Sequence, residues 1–479
     1  MSPLVSVIIP ALNEEKNLAR CLNKVFQQET DLAFEVLVVD SGSRDMTKDI
    51  ARAFAKNHPL RILEVTPAEF SHGRTRQFAS EQAQGDYLVY LVADAEPANN
   101  QWLSKLIAAA QADEAIAGAY SRQVSRPGAS VMEKLRLSRR PVSKSEPRLS
   151  ELARSEDYWL LEPMARIFIC DFDDVSSVRK RAVLEQIPIP DCDWAEDLVW
   201  AKACLNAGYK IAFAPESRVV HSHRLSAGYL FRRGWIDQKA AAENFGLVYY
   251  PDFQNAARGF FLGTRNEIAE IMDANASRLA KISSGLRTPA WVGAEIAGRF
   301  LAQAPAVNEA SLELMSRLDP QGIHPRNASE RVAKTAFTIG DQWRKALLAN
   351  PPAVIDFQID AAEDTEFRFG IGIKPEAFKF RTAPIEFSVA INDAEVFKQS
   401  IEISSASLKG WKDFSIELNQ WRGARIKLSL LTDSSDMKHG WAAWAEPRIV
   451  YKNWKPRTGL KTRLAALAQA AVSGNFRHD

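Results

Sequence analysis

Cysteine is scarce in this chain and forms no recognisable framework. Only Cys21, Cys170, Cys192 and Cys204 occur among 479 residues. No two are spaced as CxxC, which argues against both a disulfide scaffold and a zinc ribbon. They read as reduced thiols of a cytosolic protein. An excess of either charge is also missing, because 61 Lys and Arg stand against 59 Asp and Glu. That balance carries no electrostatic footprint for nucleic acid. No run approaches the ~20 apolar residues of a membrane span. The N-terminus has no basic segment and is too short to be a signal peptide. The expected location is cytoplasmic, with room for peripheral contact at the inner face of the plasma membrane. A glycine-rich phosphate loop and a dinucleotide fingerprint are absent too, which argues against a kinase, a GTPase or an NAD enzyme. What remains is an ordinary globular composition, 46% hydrophobic and 25% charged. Its length suits two or three domains of roughly 100–200 residues each.

The stretch Tyr87-Leu-Val-Tyr-Leu-Val-Ala-Asp94-Ala-Glu96-Pro97 organises the first half. A continuous apolar run predicts a parallel strand buried on both faces. Upstream, Val5–Ile9 leads into Pro10-Ala-Leu-Asn13-Glu14, and Glu35–Val39 leads into Asp40-Ser-Gly-Ser-Arg-Asp45. Each is followed by a helical pattern, and Arg61–Val65 adds a third strand. Such alternation predicts βαβ units and a mostly parallel sheet. Asn13, Glu14, Asp40, Asp45, Asp94 and Glu96 then fall at one sheet edge, where ligands of open α/β sheets bind. If the backbone stays extended, Asp94 and Glu96 point to one side. Two hard oxygen ligands there suit Mg²⁺ or Mn²⁺. A crevice lined with carboxylates repels a bare diphosphate, so the pattern leans towards a metal-bound nucleotide sugar. Taken alone, Asp40 reads as well as a turn residue or helix cap.

These motifs resemble the family 2 glycosyltransferases, in the segments Val7–Glu14, Val38–Asp45 and Asp94–Pro97. Phe70-Ser-His72-Gly73-Arg-Thr75-Arg76 and Gly118-Ala-Tyr-Ser-Arg122-Gln123 are similar to the rhamnosyltransferase-like branch. The resemblance covers the chain to about residue 245. It implies a GT-A (Rossmann-like) α/β catalytic domain that uses a divalent metal, Mn²⁺ or Mg²⁺. The implied donor is a dTDP- or UDP-sugar and the implied acceptor a glycan or lipid-linked glycan. Pro10, Ala11, Asn13, Glu14, Asp40, Ser41 and Gly42 would line the nucleoside pocket. Arg76 would lie at the diphosphate and Gly73 in the nucleotide-sugar site, with His72 a candidate sugar contact or a loop histidine bonded to backbone. Asp94 would be the metal carboxylate and Glu96 its less secure companion, since the sequence reads Asp-Ala-Glu rather than Asp-X-Asp.

The segment Arg122–Asp157 reads as a long loop with short helices, a candidate lid. Further on, Asp193-Trp-Ala-Glu196-Asp197 opens a helix, with Asp193 a candidate cap and Asn206-Ala-Gly208 a stop signal. By position, Glu196 and Asp197 favour the helix dipole. The resemblance instead makes Asp197 the acceptor base, with Glu196 contacting the acceptor or orienting the loop. In Val219-Val-His221-Ser-His223, the resemblance gives one histidine to the metal, His223 first and His221 as the alternative. Imidazole suits Mn²⁺ better than Mg²⁺. Arg232 and Arg233 follow as candidate diphosphate contacts or as a solvated helix face.

Residues 246–347 read as helical, to extend the acceptor side or form an oligomer. From 348 to 453 short period-two strands predict an all-β, jelly-roll-like sandwich. Trp411, Trp421, Trp441 and Trp444 are candidates for stacking on sugars, although core packing is the commoner role. Residues 454–479 form a basic amphipathic tail able to lie on an anionic membrane, with plain packing the commoner role. The function expected is inverting, metal-dependent transfer of a sugar, with rhamnose one option. The alternatives are a non-catalytic glycan- or nucleotide-sugar-binding protein on the same scaffold, or a nucleotidyltransferase.

Overall fold

The computed structural model describes residues 4–303, 310–325, 331–380, 383–436 and 441–452. The first half runs β1 (Val5–Ala11), α1 (Leu18–Phe26), β2 (Phe34–Asp40), α2 (Thr47–Ala55), β3 (Leu60–Glu64), α3 (His72–Gln82) and β4 (Tyr87–Leu91). It continues with β5 (Glu96–Pro97), α4 (Trp102–Gln111), β6 (Ile116–Val124), α5 (Val131–Arg139), β7 (Arg148–Ser150), α6 (Pro163–Ile169) and β8 (Ser176–Lys180). Next come α7 (Arg181–Leu184), α8 (Glu196–Asn206) and β9 (Lys210–Val220). The sheet order is β3-β2-β1-β4-β8-β6-β9-β5, with β7 beside β9. Pairs β3-β2, β2-β1, β1-β4 and β6-β9 are parallel, and β8 runs antiparallel between β4 and β6.

Alternation along the strands divides their side chains between two cores. Val5, Val7, Ile9, Val36 and Val38 pack with Leu22 of α1 and Trp102 of α4. Ile8, Leu37, Val39 and Tyr90 pack on the other face with Ala79 of α3 and Trp200 of α8. Helices cover both faces, so the strands need no polar alternation. Because β1, β2 and β4 are parallel neighbours, their carboxyl ends bring residues 11–17, 40–46 and 92–95 to one edge.

Three long helices follow: α9 (Ala227–Phe245), α10 (Phe253–Asp273) and α11 (Arg278–Ala302). Ser226, Asp252 and Ser277 cap their first turns through side-chain oxygens. Helices α9 and α11 cross closely at two glycines. A Cβ on Gly298 would meet the Phe231 carbonyl at 2.1 Å, and one on Gly234 would meet the Glu295 carbonyl at 2.4 Å. The segment expected to be a lid contains α5, which is pinned to these helices. Arg136 pairs with Glu267 at 3.0 Å and Glu295 at 2.7 Å, and Arg139 pairs with Glu267 at 3.1 Å.

The remainder is a sandwich. Its elements are β10 (Ala310–Glu313), β11 (Ile323–His324), β12 (Val332–Ile339), β13 (Gln342–Ala349), β14 (Ala353–Asp360), β15 (Thr365–Ile373) and β16 (Ile385–Ile391). They are followed by β17 (Ala394–Ile401), β18 (Lys412–Glu417), β19 (Arg425–Asp433) and β20 (Ala442–Tyr451). One sheet has the order β12-β13-β20-β15-β18 with β10 beside β20, and the other β11-β14-β19-β16-β17. Residues 332–347, expected to be helical, fall in strands β12 and β13. Their alanines, lysines and arginines favour helix locally, but Gly340 (φ +60°) makes a hairpin turn and β13 pairs with β20. All four tryptophans considered for sugar stacking pack instead. Trp444 is fully buried, Trp421 and Trp441 lie against the same core, and Trp411 is buried in a smaller cluster. The basic tail lies outside the described residues. Among the described residues no helix is long and apolar enough to cross a membrane.

The two halves meet at the β12–β13 turn. Buried Arg166 of α6 donates to the carbonyls of Trp159 and Leu161, both at 2.9 Å, and to that of Gly340 in the turn. Thr338 donates to the Gly246 carbonyl at 2.7 Å, and Lys202 pairs with Asp341. Arg166→Met leaves one buried and two part-buried carbonyls without this donor. An unpaired buried polar group costs about 1–3 kcal/mol. The variant is expected to lose at least about 2 kcal/mol of stability, read as a lower midpoint in urea. An unchanged midpoint would show that the joint does not depend on this side chain.

Candidate active site

The first corner of the site is built by the turns after β1 and β2. Asn13 adopts φ +56°, a left-handed conformation that asparagine tolerates better than most residues. Its Oδ1 accepts from the Arg44 amide at 3.0 Å, and its own amide donates to Ser43 Oγ at 2.9 Å. The Glu14 amide donates to Thr47 Oγ1 at 2.7 Å, and its carboxylate accepts from Asn17 at 2.7 Å. Asp40 is buried and accepts from the amides of Gly42 at 3.0 Å and Ser43 at 3.1 Å. Gly42 has φ +93°, and a Cβ there would meet the Pro67 ring at 2.8 Å. Pro10, Ala11, Asn13, Glu14, Asp40, Ser41 and Gly42 therefore share one sheet edge. Asp40 is also the turn residue that position alone suggested.

The second corner gathers possible metal ligands. Ligand atoms of Asp94, His221 and His223 all lie within 4.8 Å of one another. His221 Nε2 is 3.7 Å from the Asp94 carboxylate. His221 Nδ1 lies 3.0 Å from Gln123 Oε1, and Gln123 Nε2 donates to Asp173 at 2.9 Å. That relay orients the imidazole with Nε2 towards Asp94, as outer-shell partners of metal ligands do. Burial holds His221 below its usual pKa against the opposing pull of Asp94 and Asp173, and His223 is lowered to about 4 by burial and by His221. Neutral imidazoles are the form that ligates a cation. One carboxylate and two imidazoles fit a borderline divalent ion such as Mn²⁺ better than Mg²⁺.

Glu96 stands apart from this group. The backbone is not extended between the two acids, because the Ala95 amide donates to the Val92 carbonyl at 3.0 Å and closes a turn around Asp94. Glu96 instead pairs with Arg20 at 2.9 Å. Both histidines take the place beside Asp94 that sequence reasoning offered to only one.

The third corner is a buried ion cluster. Arg76 Nη1 lies 2.7 Å from Glu196 and Nε 3.3 Å from Asp174. Arg179 Nη1 binds Asp174 at 2.8 Å, and its guanidinium lies 4.6–4.8 Å from the ring centroids of Tyr90, Phe172 and Trp200. Arg76, placed by sequence at the diphosphate, is buried and committed to these carboxylates. Asp197 Oδ1 accepts from its neighbour Leu198 at 2.8 Å, and Oδ2 accepts from the Asp174 amide at 3.3 Å. Two guanidiniums face three carboxylates here. Burial, then Glu196, Asp174 and Asp173, pushes the Asp197 carboxyl well above its usual range. Glu196 is buried, whereas Asp197 is only partly so.

The loop before Glu196 departs from the expected cap. Asp193 is exposed, and the helix opens at Ala195 with φ +60°. The loop is fastened to α3. Ser71 and Arg74 both bind Asp191, and a Cβ on Gly73 would lie 1.8 Å from the Pro190 carbonyl. Gly73 is thus required for this close approach. His72 lies beside Arg76 and is lowered to about 3 by burial and by that cation. Arg232 and Arg233 both lie on α9, where Arg233 pairs with Asp237 at 2.7 Å. The Arg233 charge lowers His72 and His223, and Asp173 and Asp197 help hold it protonated. Asp173, Asp174, Arg179 and the Gln123 relay escaped sequence reasoning. The acidic run Asp171-Phe-Asp-Asp174 ahead of β8 was the available signal.

The Asp94–His221–His223 group thus stands at the carboxyl edge of the sheet, beside a turn-lined crevice and the partly exposed Asp197. Residues 6–169 match the family model described as "Glycosyl transferase family 2". The O-antigen chain rhamnosyltransferase WbaN of Salmonella anatum is 26% identical over 236 residues, which cover 48% of this chain and 70% of the relative. The glycosyltransferase AglE of Haloferax volcanii is 43% identical over 105 residues, and the match spans 34% of its length and 22% of this chain. A mannosyltransferase structure from Pyrobaculum calidifontis, in complex with GDP-Man and Mn²⁺, aligns at 21% identity and a TM-score of 0.41. That alignment covers 62% of this chain and 86% of that one, a likeness too loose to bear on mechanism.

Arg76 tests the third corner. Removing one partner of a buried ion pair costs about 3–5 kcal/mol, because the other charge stays buried. Arg76→Met is expected to destabilise the protein by about that amount, measured by chemical denaturation. A fully stable variant with weakened nucleotide binding would instead restore Arg76 to the diphosphate.

Proposed function

We propose that the protein transfers a sugar from a nucleoside-diphosphate donor to a hydroxyl of a glycan or lipid-linked glycan, with divalent metal and inversion at the anomeric carbon. The observation that carries this reading is the Asp94–His221–His223 group on the same side of the domain as the partly exposed Asp197. The nucleoside would lie against Pro10, Ala11, Asn13 and Glu14, with the Asp40–Gly42 turn beneath it. Asp94, His221 and His223 would hold the metal, which would neutralise the negative charge of the diphosphate. Arg233, and Arg232 beside it on α9, would add positive charge near the leaving group. Asp197 would take the proton of the acceptor hydroxyl as its oxygen bonds to the anomeric carbon. In the same displacement the bond to the phosphate oxygen breaks, so the configuration inverts. Glu196, tied to Arg76, is the positioning residue that keeps Asp197 in place. The WbaN match favours rhamnose as the sugar and a surface polysaccharide as the product.

Three measurements test the reading. Calorimetry with dTDP, UDP and GDP in Mn²⁺, Mg²⁺ or EDTA is expected to show metal-dependent binding of one nucleotide, lost in Asp94→Ala. Binding indifferent to EDTA would overturn the metal assignment. Asp197→Asn is expected to lower turnover by about 10²–10⁴, the usual contribution of a general base, while donor binding persists. Full turnover in that variant would end its role as base. Asp197 works only when deprotonated, and its pKa is raised. Activity is therefore expected to fall as pH drops through a value above the ordinary aspartate pKa of about 4. An acid limb of kcat/KM at or below the ordinary value would contradict this.

A further inference from the structure

A second cavity lies away from the metal corner, between the end of α9 and the outer face of the six-stranded sheet of the sandwich. Its volume is about 570 Å³, and its walls come from β13, β15, β18 and β20. This falls within the roughly 300–1,000 Å³ of small-molecule sites. Three features mark it as more than a packing gap. Strand β20 carries a bulge here, where Arg368 pairs with Arg448 but Gly370 pairs with Ala445. Inside the bulge Glu446 adopts φ +45°, a strained conformation for a residue other than glycine. Bulges of this kind re-aim side chains and gather near functional sites. Gly370 keeps the wall open, because a Cβ there would come within 3.0–3.2 Å of Arg344, Asp413 and Ala445. Trp343 also lines the cavity, half-buried, and among the described residues it joins none of the hydrophobic clusters.

The lining chemistry selects the ligand. Arg344 bonds Asp413 through both nitrogens, one at 2.9 Å, and Arg448 lies 3.4 Å from Glu446. Arg368 pairs with Glu366. Three lining arginines stand against the four lining acids Glu243, Asp341, Asp413 and Glu446. With each guanidinium already matched, the cavity has no surplus positive charge for a phosphate. What it offers is paired donors and acceptors along one wall and an aromatic surface. A sugar meets both, since each hydroxyl donates and accepts and one ring face presents C–H groups.

We propose that this cavity is a saccharide-binding site for a short neutral oligosaccharide, separate from the donor site. It does not rest on the reading of the metal corner, and either can fail without the other. The test is calorimetry and saturation-transfer NMR on the full chain with short neutral rhamno-, manno-, gluco- and galacto-oligosaccharides, and with inorganic phosphate as the anion probe. At least one oligosaccharide is expected to bind. Trp343→Ala and Asp413→Asn should each weaken it about tenfold or more, the effect of losing one aromatic or charge-assisted contact. EDTA and Asp94→Ala should leave it unchanged. Circular dichroism establishes that the variants fold, and Trp343→Phe, which keeps an aromatic ring, should retain most of the binding. The proposal is overturned if no oligosaccharide binds, if neither Trp343→Ala nor Asp413→Asn weakens binding, if binding disappears with Asp94→Ala, or if phosphate binds in place of the sugars.

Discussion

The buried cluster of Arg76, Asp174, Arg179, Glu196 and Asp197 is the constraint around which the first domain is arranged. Charges removed from water cost several kcal/mol each unless geometry and further contacts compensate them. Here the compensation comes from distant parts of the chain. Arg76 sits on α3, Asp174 precedes β8, Arg179 lies within β8, and the two acids open α8. Tyr90, Phe172 and Trp200 complete a cage around Arg179. Joining these elements through one set of charges fixes the opening of α8 and thereby Asp197. Burial first, and then the carboxylate in excess within the cluster, raises the Asp197 pKa above that of an ordinary aspartate.

The metal corner is assembled on a different principle. Asp94 sits in a tight turn after β4, and the histidines follow the end of β9. Strand β9 pairs with β6 and, through Val219 and Val220, with β5. The β5–β9 pairing brings the turn and the histidines together, and Gln123 at the end of β6 orients His221. The Val92–Ala95 turn holds Asp94, and the His221 amide donates to the Val124 carbonyl at 3.0 Å, so backbone bonds fix both positions.

The sandwich is tied to this domain through Arg166, Lys202 and the 338–341 turn. Its aromatic residues divide by depth. Trp444 fills the core with Phe367, Phe369 and Phe387, while Trp343 remains at the surface of a charged cavity. Trp343 is not among the tryptophans considered for stacking, because the stretch around it reads as helical in the sequence.

The parallel βαβ units, the shared edge of Asn13, Glu14, Asp40 and Asp94, and the strands beyond residue 353 were legible from the sequence. Each is a local pattern of apolar runs, turn residues and periodicity, and the side-chain alternation of a strand is fixed by its backbone. Three matters were decided only by tertiary structure. Arg76 reads in the sequence as a diphosphate contact, but it is buried against acids that lie about a hundred residues away in sequence. Glu96 shares a motif with Asp94, yet the turn at Val92–Ala95 sends it to Arg20. Residues 332–347 carry helix-favouring composition, and pairing with β20 makes them strands. In each case the deciding partner is remote in the chain, and local sequence holds no record of which remote group will pair with a charge or a strand edge.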